Sequence, residues 1–144
     1  MSISSKLVMI PLFLFPLVAN AAQPIIDVYK TASCGCCKKW VQHLQSNGFE
    51  VRAHDVKDPA VIRRAGGIAD KYGSCHTARV GKYIVEGHVP ASDIKRLLST
   101  RPRAVGLAVP GMPMGSPGME GGRSDSYDVL LVKEGSAAVY KSYR

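Results

Sequence analysis

Ile25-Ile26-Asp27-Val28-Tyr29 runs through Lys30-Thr31-Ala32-Ser33 into Cys34-Gly35-Cys36-Cys37-Lys38-Lys39-Trp40-Val41-Gln42-His43-Leu44. The first five residues form a short block rich in β-branched and aromatic side chains, the pattern of a buried strand. From Cys36 the apolar period changes. Trp40, Val41 and Leu44 share one helical face, Lys38, Lys39, Gln42 and Gln45 lie elsewhere, and Asn47-Gly48 stops the run. A strand is thus predicted to enter a helix through a turn that carries three cysteines. A helix N-terminus offers free backbone N–H groups and the positive end of the dipole, which stabilise negative charge there.

Further along, Phe49 to Ala53 alternates as a strand, and Asp58-Pro59 caps a short helix through about Arg64. Gly66-Gly67 breaks it, and a second short helix is predicted from Ile68 to about Tyr72. Arg79-Val80 and Tyr83-Ile84-Val85 flank Gly81-Lys82 as a hairpin. A helix from Pro90 with Ile94, Leu97 and Leu98 on its apolar face must end before Pro102. Val105–Val109 reads as extended, Pro110–Gly122 as a Gly- and Pro-rich loop, and Tyr127–Val132 with Ala137–Tyr140 as a closing strand pair around Gly135. Strands alternating with amphipathic helices predict an α/β sandwich with a mixed sheet flanked by helices, the opening strand-helix-strand unit pairing in parallel.

The chain begins with a different signal. Lys6 precedes an apolar run from Leu7 to Val18, followed by Ala19-Asn20-Ala21. That run is shorter than the roughly twenty residues of a bilayer span and ends in a small-x-small site, so residues 1–22 are read as a secretory signal peptide. An uncleaved anchor is the alternative. Residues 23–144 fall within the size of one domain. The net charge of +8 is scattered over Lys38-Lys39, Arg63-Arg64, Arg101 and Arg103 without interleaved aromatics. No nucleic-acid partner is therefore expected, nor any membrane association after cleavage.

Cys34, Cys36, Cys37 and Cys75 are the only cysteines. Thiolates hold soft ions such as Cu(I), and a helix N-terminus lowers thiol pKa values, so the cluster is poised for metal or redox chemistry. Cys75, in a turn with Gly73-Ser74 and His76, is free to approach the other three. Two ordinary disulfides are a poor alternative, because three cysteines within four positions leave one distant partner. The sharper rival is thiol-disulfide exchange at the C-x-x-C pair Cys34 and Cys37, which has a third thiol, Cys36, inside it. Adjacent Cys36 and Cys37 suit a single tetrahedral Zn(II) badly, and bridging thiolates shared among several Cu(I) ions better.

Pro110–Glu120 holds Met112, Met114 and Met119. Thioethers are soft ligands that form no disulfides, which suits copper in an oxidising compartment; the alternative is that they cover apolar surface or face a partner. His76 and His88 are candidate nitrogen ligands beside Cys75 and the hairpin, whereas His43 and His54 are read as hydrogen-bonded structural residues.

Four motifs then occur in order: Thr31-Ala32-Ser33-Cys34-Gly35-Cys36-Cys37, Ser74-Cys75-His76-Thr77-Ala78, Val85-Glu86-Gly87-His88-Val89-Pro90-Ala91 and Gly111-Met112-Pro113-Met114-Gly115-Ser116-Pro117-Gly118-Met119-Glu120. Together they resemble the CopG family of periplasmic copper-resistance proteins, which is unrelated to the DNA-binding repressor of the same name. The resemblance covers nearly all of residues 23–144. It implies a periplasmic, thioredoxin-like single domain with copper on Cys34, Cys36, Cys37 and Cys75. It also implies interconversion of Cu(I) and Cu(II); His76, His88, Met112 and Met114 are additional ligand candidates from their own chemistry and position. Implied partners are copper ions, other periplasmic copper-handling proteins and an electron-transfer partner. Copper oxidoreductase and copper carrier both stand as readings of that role.

Overall fold

The computed structural model describes residues 23–144, so the leader lies outside the described residues. β1 (Ile26–Lys30) turns Ile26, Val28 and Lys30 to one buried face. Lys30 is a costly residue to bury; its ammonium is satisfied by the Thr31 carbonyl and the Asp55 carboxylate. α1 (Gly35–Ser46) follows, with Cys37, Trp40 and Leu44 buried at three- and four-residue spacing. It ends at Asn47, and Gly48 takes the left-handed conformation at φ +88°.

β2 (Val51–Asp55) pairs parallel with β1, as the strand-helix-strand opening requires. It starts two residues later than the alternation suggests, because Phe49 is drawn into the core at the helix-strand joint. α2 (Pro59–Ala65) is capped by Asp58, whose carboxylate accepts the Ala60 N–H at 2.9 Å. The second short helix is a single 3-10 turn, Asp70–Tyr72.

β3 (His76–Val80) runs antiparallel to β1 and forms a hairpin with β4 (Tyr83–Glu86). α3 (Ala91–Thr100) carries the chain to β5 (Gly106–Ala108), parallel to β4. β6 (Tyr127–Lys133) and β7 (Ser136–Tyr143) close the sheet antiparallel. The sheet order is β2-β1-β3-β4-β5-β6-β7. Side chains alternate across it. One face packs Ile26, Val28, Val85 and Leu107 against Trp40 and Leu44 of α1 and Ile94 and Leu97 of α3. The other face holds a smaller cluster of Ile68, Ile84, Ala108 and Val132 on the α2 side. Burial of each large apolar side chain contributes roughly 1.5–3 kcal/mol. The result is the expected α/β, thioredoxin-like arrangement of a mixed sheet flanked by helices. Among the described residues no helix is long and apolar enough to cross a membrane.

Candidate metal centre

The cysteine turn sits where β1 delivers the chain to α1. Cys34 is the N-cap: its sulfur accepts the Cys37 N–H at 3.3 Å, a role that serine or aspartate oxygens usually play. Cys36 and Cys37 occupy the first helical turn. Cys75 ends the loop before β3, and the β1–β3 pairing carries it to the same end of the sheet. Its sulfur lies 3.7 Å from that of Cys36 and 3.5 Å from that of Cys37. Cys36 is in turn 3.5 Å from Cys34. All four sulfurs fall within 4.8 Å of one another, a spacing that can hold a metal ion. Cys34 and Cys37 are joined as a disulfide, while Cys36 and Cys75 are free thiols. Four thiolates are thus available together only after that bond is reduced.

Two imidazoles complete the group. His76 is the first residue of β3 rather than part of the preceding turn, and its ring is fully buried. Its Nε2–H donates to the Gly87 carbonyl at 3.0 Å, which leaves Nδ1 facing the Cys75 sulfur at 3.4 Å. His88, also buried, donates Nδ1–H to the Pro117 carbonyl at 2.8 Å and points Nε2 at the same sulfur across 3.2 Å. A carbonyl only accepts, so each tautomer is set by its backbone partner and each free lone pair is aimed at Cys75. Cys75, His76 and His88 form a second grouping of donors close enough for one ion.

Burial lowers the pKa of His76 to about 3, with His88 nearby adding to the effect. The pKa of His88 is also lowered, again by burial first. Both rings are therefore neutral and able to ligate at neutral pH. Burial pushes the Cys75 thiol up to about 12, and the neighbouring Cys36 adds to the rise. The lowered thiol pKa expected of the cluster therefore fails for Cys75. It comes from a loop shielded from water, not from the helix end. Lys38 and Lys39, which follow the cluster directly in α1, are exposed.

The segment between β5 and β6 folds as a strap across the site. Gly111 N–H donates to the Gly73 carbonyl at 3.0 Å, and the Ser74 hydroxyl donates to the Gly111 carbonyl. Gly118, at φ +89°, lies so close to α1 that a Cβ would fall 2.8 Å from the Cys36 carbonyl oxygen and 2.9 Å from the Trp40 nitrogen. Only glycine fits there. Met112 is 51 % exposed, and Met114 is half-buried with its backbone tied to Asp125. The strap is docked on the site by Pro117 and Gly118, which the sequence reading did not single out.

Glu86 was also missed. It ends β4 fully buried, accepting from Ser74 N–H at 2.7 Å, Thr77 hydroxyl at 2.6 Å and Arg63 at 3.4 Å. Burial raises its carboxyl pKa, and those three donors oppose the rise. A carboxylate closing the apolar strand Tyr83-Ile84-Val85 was the signal available.

Two solved structures, titled copper resistance protein copG forms 1 and 2, share 47 % identity with this chain. Each superposes with a TM-score of 0.80 over 85 % of this chain, covering 98 % and 100 % of its own length respectively. The chain belongs to the CopG copper-resistance family. The family described as "Protein of unknown function, DUF411" matches residues 72–119, which span Cys75, His76, His88 and most of the CopG-like strap. No curated protein sequence matches significantly. CopG membership and a cysteine cluster able to hold a metal ion together assign this protein a copper-related function.

Proposed function

We propose that this chain is exported by residues 1–22 to the periplasm. There it takes copper as cargo on Cys34, Cys36, Cys37 and Cys75, holding it as Cu(I). The observation that carries the reading is the convergence of four sulfurs within ligand distance of one another, with two neutral imidazoles within ligand distance of one of them, Cys75. Sulfur shared among neighbouring ions suits Cu(I), and the imidazoles of His76 and His88 give Cu(II) nitrogen ligands at the same place. Met112 and Met114 are the strap's further soft donors.

The Cys34 and Cys37 thiolates, when reduced, supply the electrons for interconversion. Two thiolates and two Cu(II) give one disulfide and two Cu(I), so reduced Cys34 and Cys37 are the two-electron donor and the observed disulfide is the product. Resetting the pair takes two electrons from a periplasmic thiol reductant. Metal analysis tests the binding: fully reduced protein should carry copper, and Cys36→Ser or Cys75→Ser should lose most of it. The redox step is followed by the Cu(II) spin signal. It should vanish on mixing with reduced protein, with one Cys34–Cys37 disulfide formed for every two ions reduced.

The same disulfide favours a second reading, thiol-disulfide exchange at Cys34 and Cys37. Copper-free protein that reduces a test disulfide with only those two cysteines intact would favour it.

A further inference from the structure

Cys75 is the one sulfur that α1 does not hold. It sits at the end of a loop, yet it must stay within 3.7 Å of Cys36 and 3.5 Å of Cys37 for the four sulfurs to act together. What holds it lies on the opposite face of the sheet. The Glu86 side chain is 0 % exposed, and one of its oxygens accepts the backbone N–H of Ser74, the residue immediately before Cys75, at 2.7 Å. The other oxygen takes the Thr77 hydroxyl at 2.6 Å, just after Cys75 and His76. Arg63 reaches the first oxygen from α2 at 3.4 Å and is itself held by Asp70 at 2.6 Å.

The surroundings leave the loop little other room. A Cβ at Gly73 would fall 2.8 Å from the Arg63 guanidinium, and one at Gly87 would fall 2.5 Å from the Val109 carbonyl and 2.7 Å from the Ser74 side chain. Burying a carboxylate is expensive unless every oxygen is hydrogen-bonded, so this one is held in a single arrangement by the donors that surround it. None of the three donors is a sulfur or an imidazole. The carboxylate therefore has no direct part in binding a soft ion.

We infer that Glu86 is a positioning residue: by accepting the Ser74 N–H from inside the protein it fixes Cys75 against the cysteines of α1. The functional consequence rests on the copper reading given above, but the placement does not. Ligand groups held to within about half an ångström are what separate a working site from one that is merely present. A loop freed of Glu86 keeps its cysteine and loses its address.

The test starts from metal-free protein with Cys34 and Cys37 joined, as in the structure, equilibrated with oxidised and reduced glutathione. Cys36 and Cys75 thiols plus one glutathione disulfide give the Cys36–Cys75 disulfide and two glutathione thiols. Peptide mass mapping after acid quench then gives the effective concentration of Cys75 at Cys36. Glu86→Leu, which removes the acceptor, should lower that concentration about tenfold or more, since proximity dominates intramolecular reactions. Glu86→Asp withdraws the carboxylate by about 1.5 Å, one carbon–carbon bond, and should fall between. Glu86→Gln, whose amide oxygen still reaches Ser74 while its NH₂ donates to the Thr77 oxygen, should stay within about twofold of the parent. Thr77→Val should lower the melting temperature and leave the ratio unchanged, because the Ser74 bond survives.

Glu86→Leu at the parental value overturns the inference. If that variant does not fold, Glu86→Asp at the parental value overturns it. A Thr77→Val ratio that falls in step with stability does the same, since general loosening would then explain everything. Cu(I) affinity measured on the same variants separates the two claims. A lowered ratio with unchanged affinity sinks Cys75 as a copper ligand and upholds the positioning.

Discussion

The ring of His76 rests on Trp40 with centroids 4.4 Å apart, while the Nδ1 of the same ring faces the Cys75 sulfur at 3.4 Å. Trp40 is the only tryptophan and is fully buried, its indole N–H donating to the Val89 carbonyl at 2.9 Å. The fluorophore is therefore separated from the candidate metal site by one imidazole. Copper loading is expected to quench its emission, saturating at the same copper-to-protein ratio as the thiolate-to-copper absorption. Cys75→Ser should abolish the quenching. Emission indifferent to copper would place the metal elsewhere.

Because Cys75 is a protonated thiol at neutral pH, with burial holding its pKa at about 12, a soft cation must displace that proton. Apparent Cu(I) affinity of the reduced protein should rise with pH, by about one logarithmic unit per pH unit for each proton displaced. Isothermal titration in buffers of different ionisation enthalpy counts those protons. Uptake without proton release would contradict ligation by Cys75.

The strap gives a different expectation. At Gly118 an alanine meets both a left-handed backbone and the first turn of α1, whereas Gly111, at φ +68°, has open space around it. Gly118→Ala should cost about 1–3 kcal/mol of stability. By moving the Pro117 carbonyl off His88, it should also weaken copper binding about 10- to 100-fold. Gly111→Ala should carry the backbone strain alone and leave affinity within about threefold, since it keeps the Pro117 carbonyl on His88. Chemical denaturation and competitive Cu(I) titration with a chelator read the two effects. Equal affinity losses in both variants would mean that strap strain, not docking on His88, matters.

His43 links α1 to α3: its Nε2 accepts the Ala91 N–H at 3.0 Å, capping the third helix from outside. Burial lowers its pKa below the usual 6.5, with Glu120 opposing. Protonation would remove the lone pair that Ala91 needs. The unfolded chain takes up the proton first as pH falls, so this stability is present above about pH 6.5 and is lost progressively below it. The ring is half-exposed, so solvent screening keeps the slope well under the roughly 1.4 kcal/mol per pH unit of a fully shifted group. His43→Gln, which retains an acceptor without a titration, should flatten the acid limb of a denaturation series. An identical limb would remove His43 from the account.

Much of this was legible in the chain because local chemistry and tertiary outcome agree. The change of period at Cys36, the Asp58-Pro59 cap and the Asn47-Gly48 stop all correspond to observed element ends. Boundaries moved where packing decided them. Phe49 left the strand pattern to fill the core, and β3 begins at His76 because a buried ring on Trp40 outweighs its polar character. Residue type alone marked the four cysteines and the two histidines. It could not mark Pro117 and Gly118, whose roles come from backbone atoms. Nor did it mark Glu86, whose partners lie 9, 12 and 23 positions away.

The central claim is that sulfur from two separated stretches of chain binds copper together. X-ray absorption on the copper-loaded, fully reduced protein counts those ligands directly. A sulfur-dominated Cu(I) shell that loses sulfur in both Cys36→Ser and Cys75→Ser is the expected result. A shell of nitrogen and oxygen alone, or one unchanged by either substitution, would contradict it.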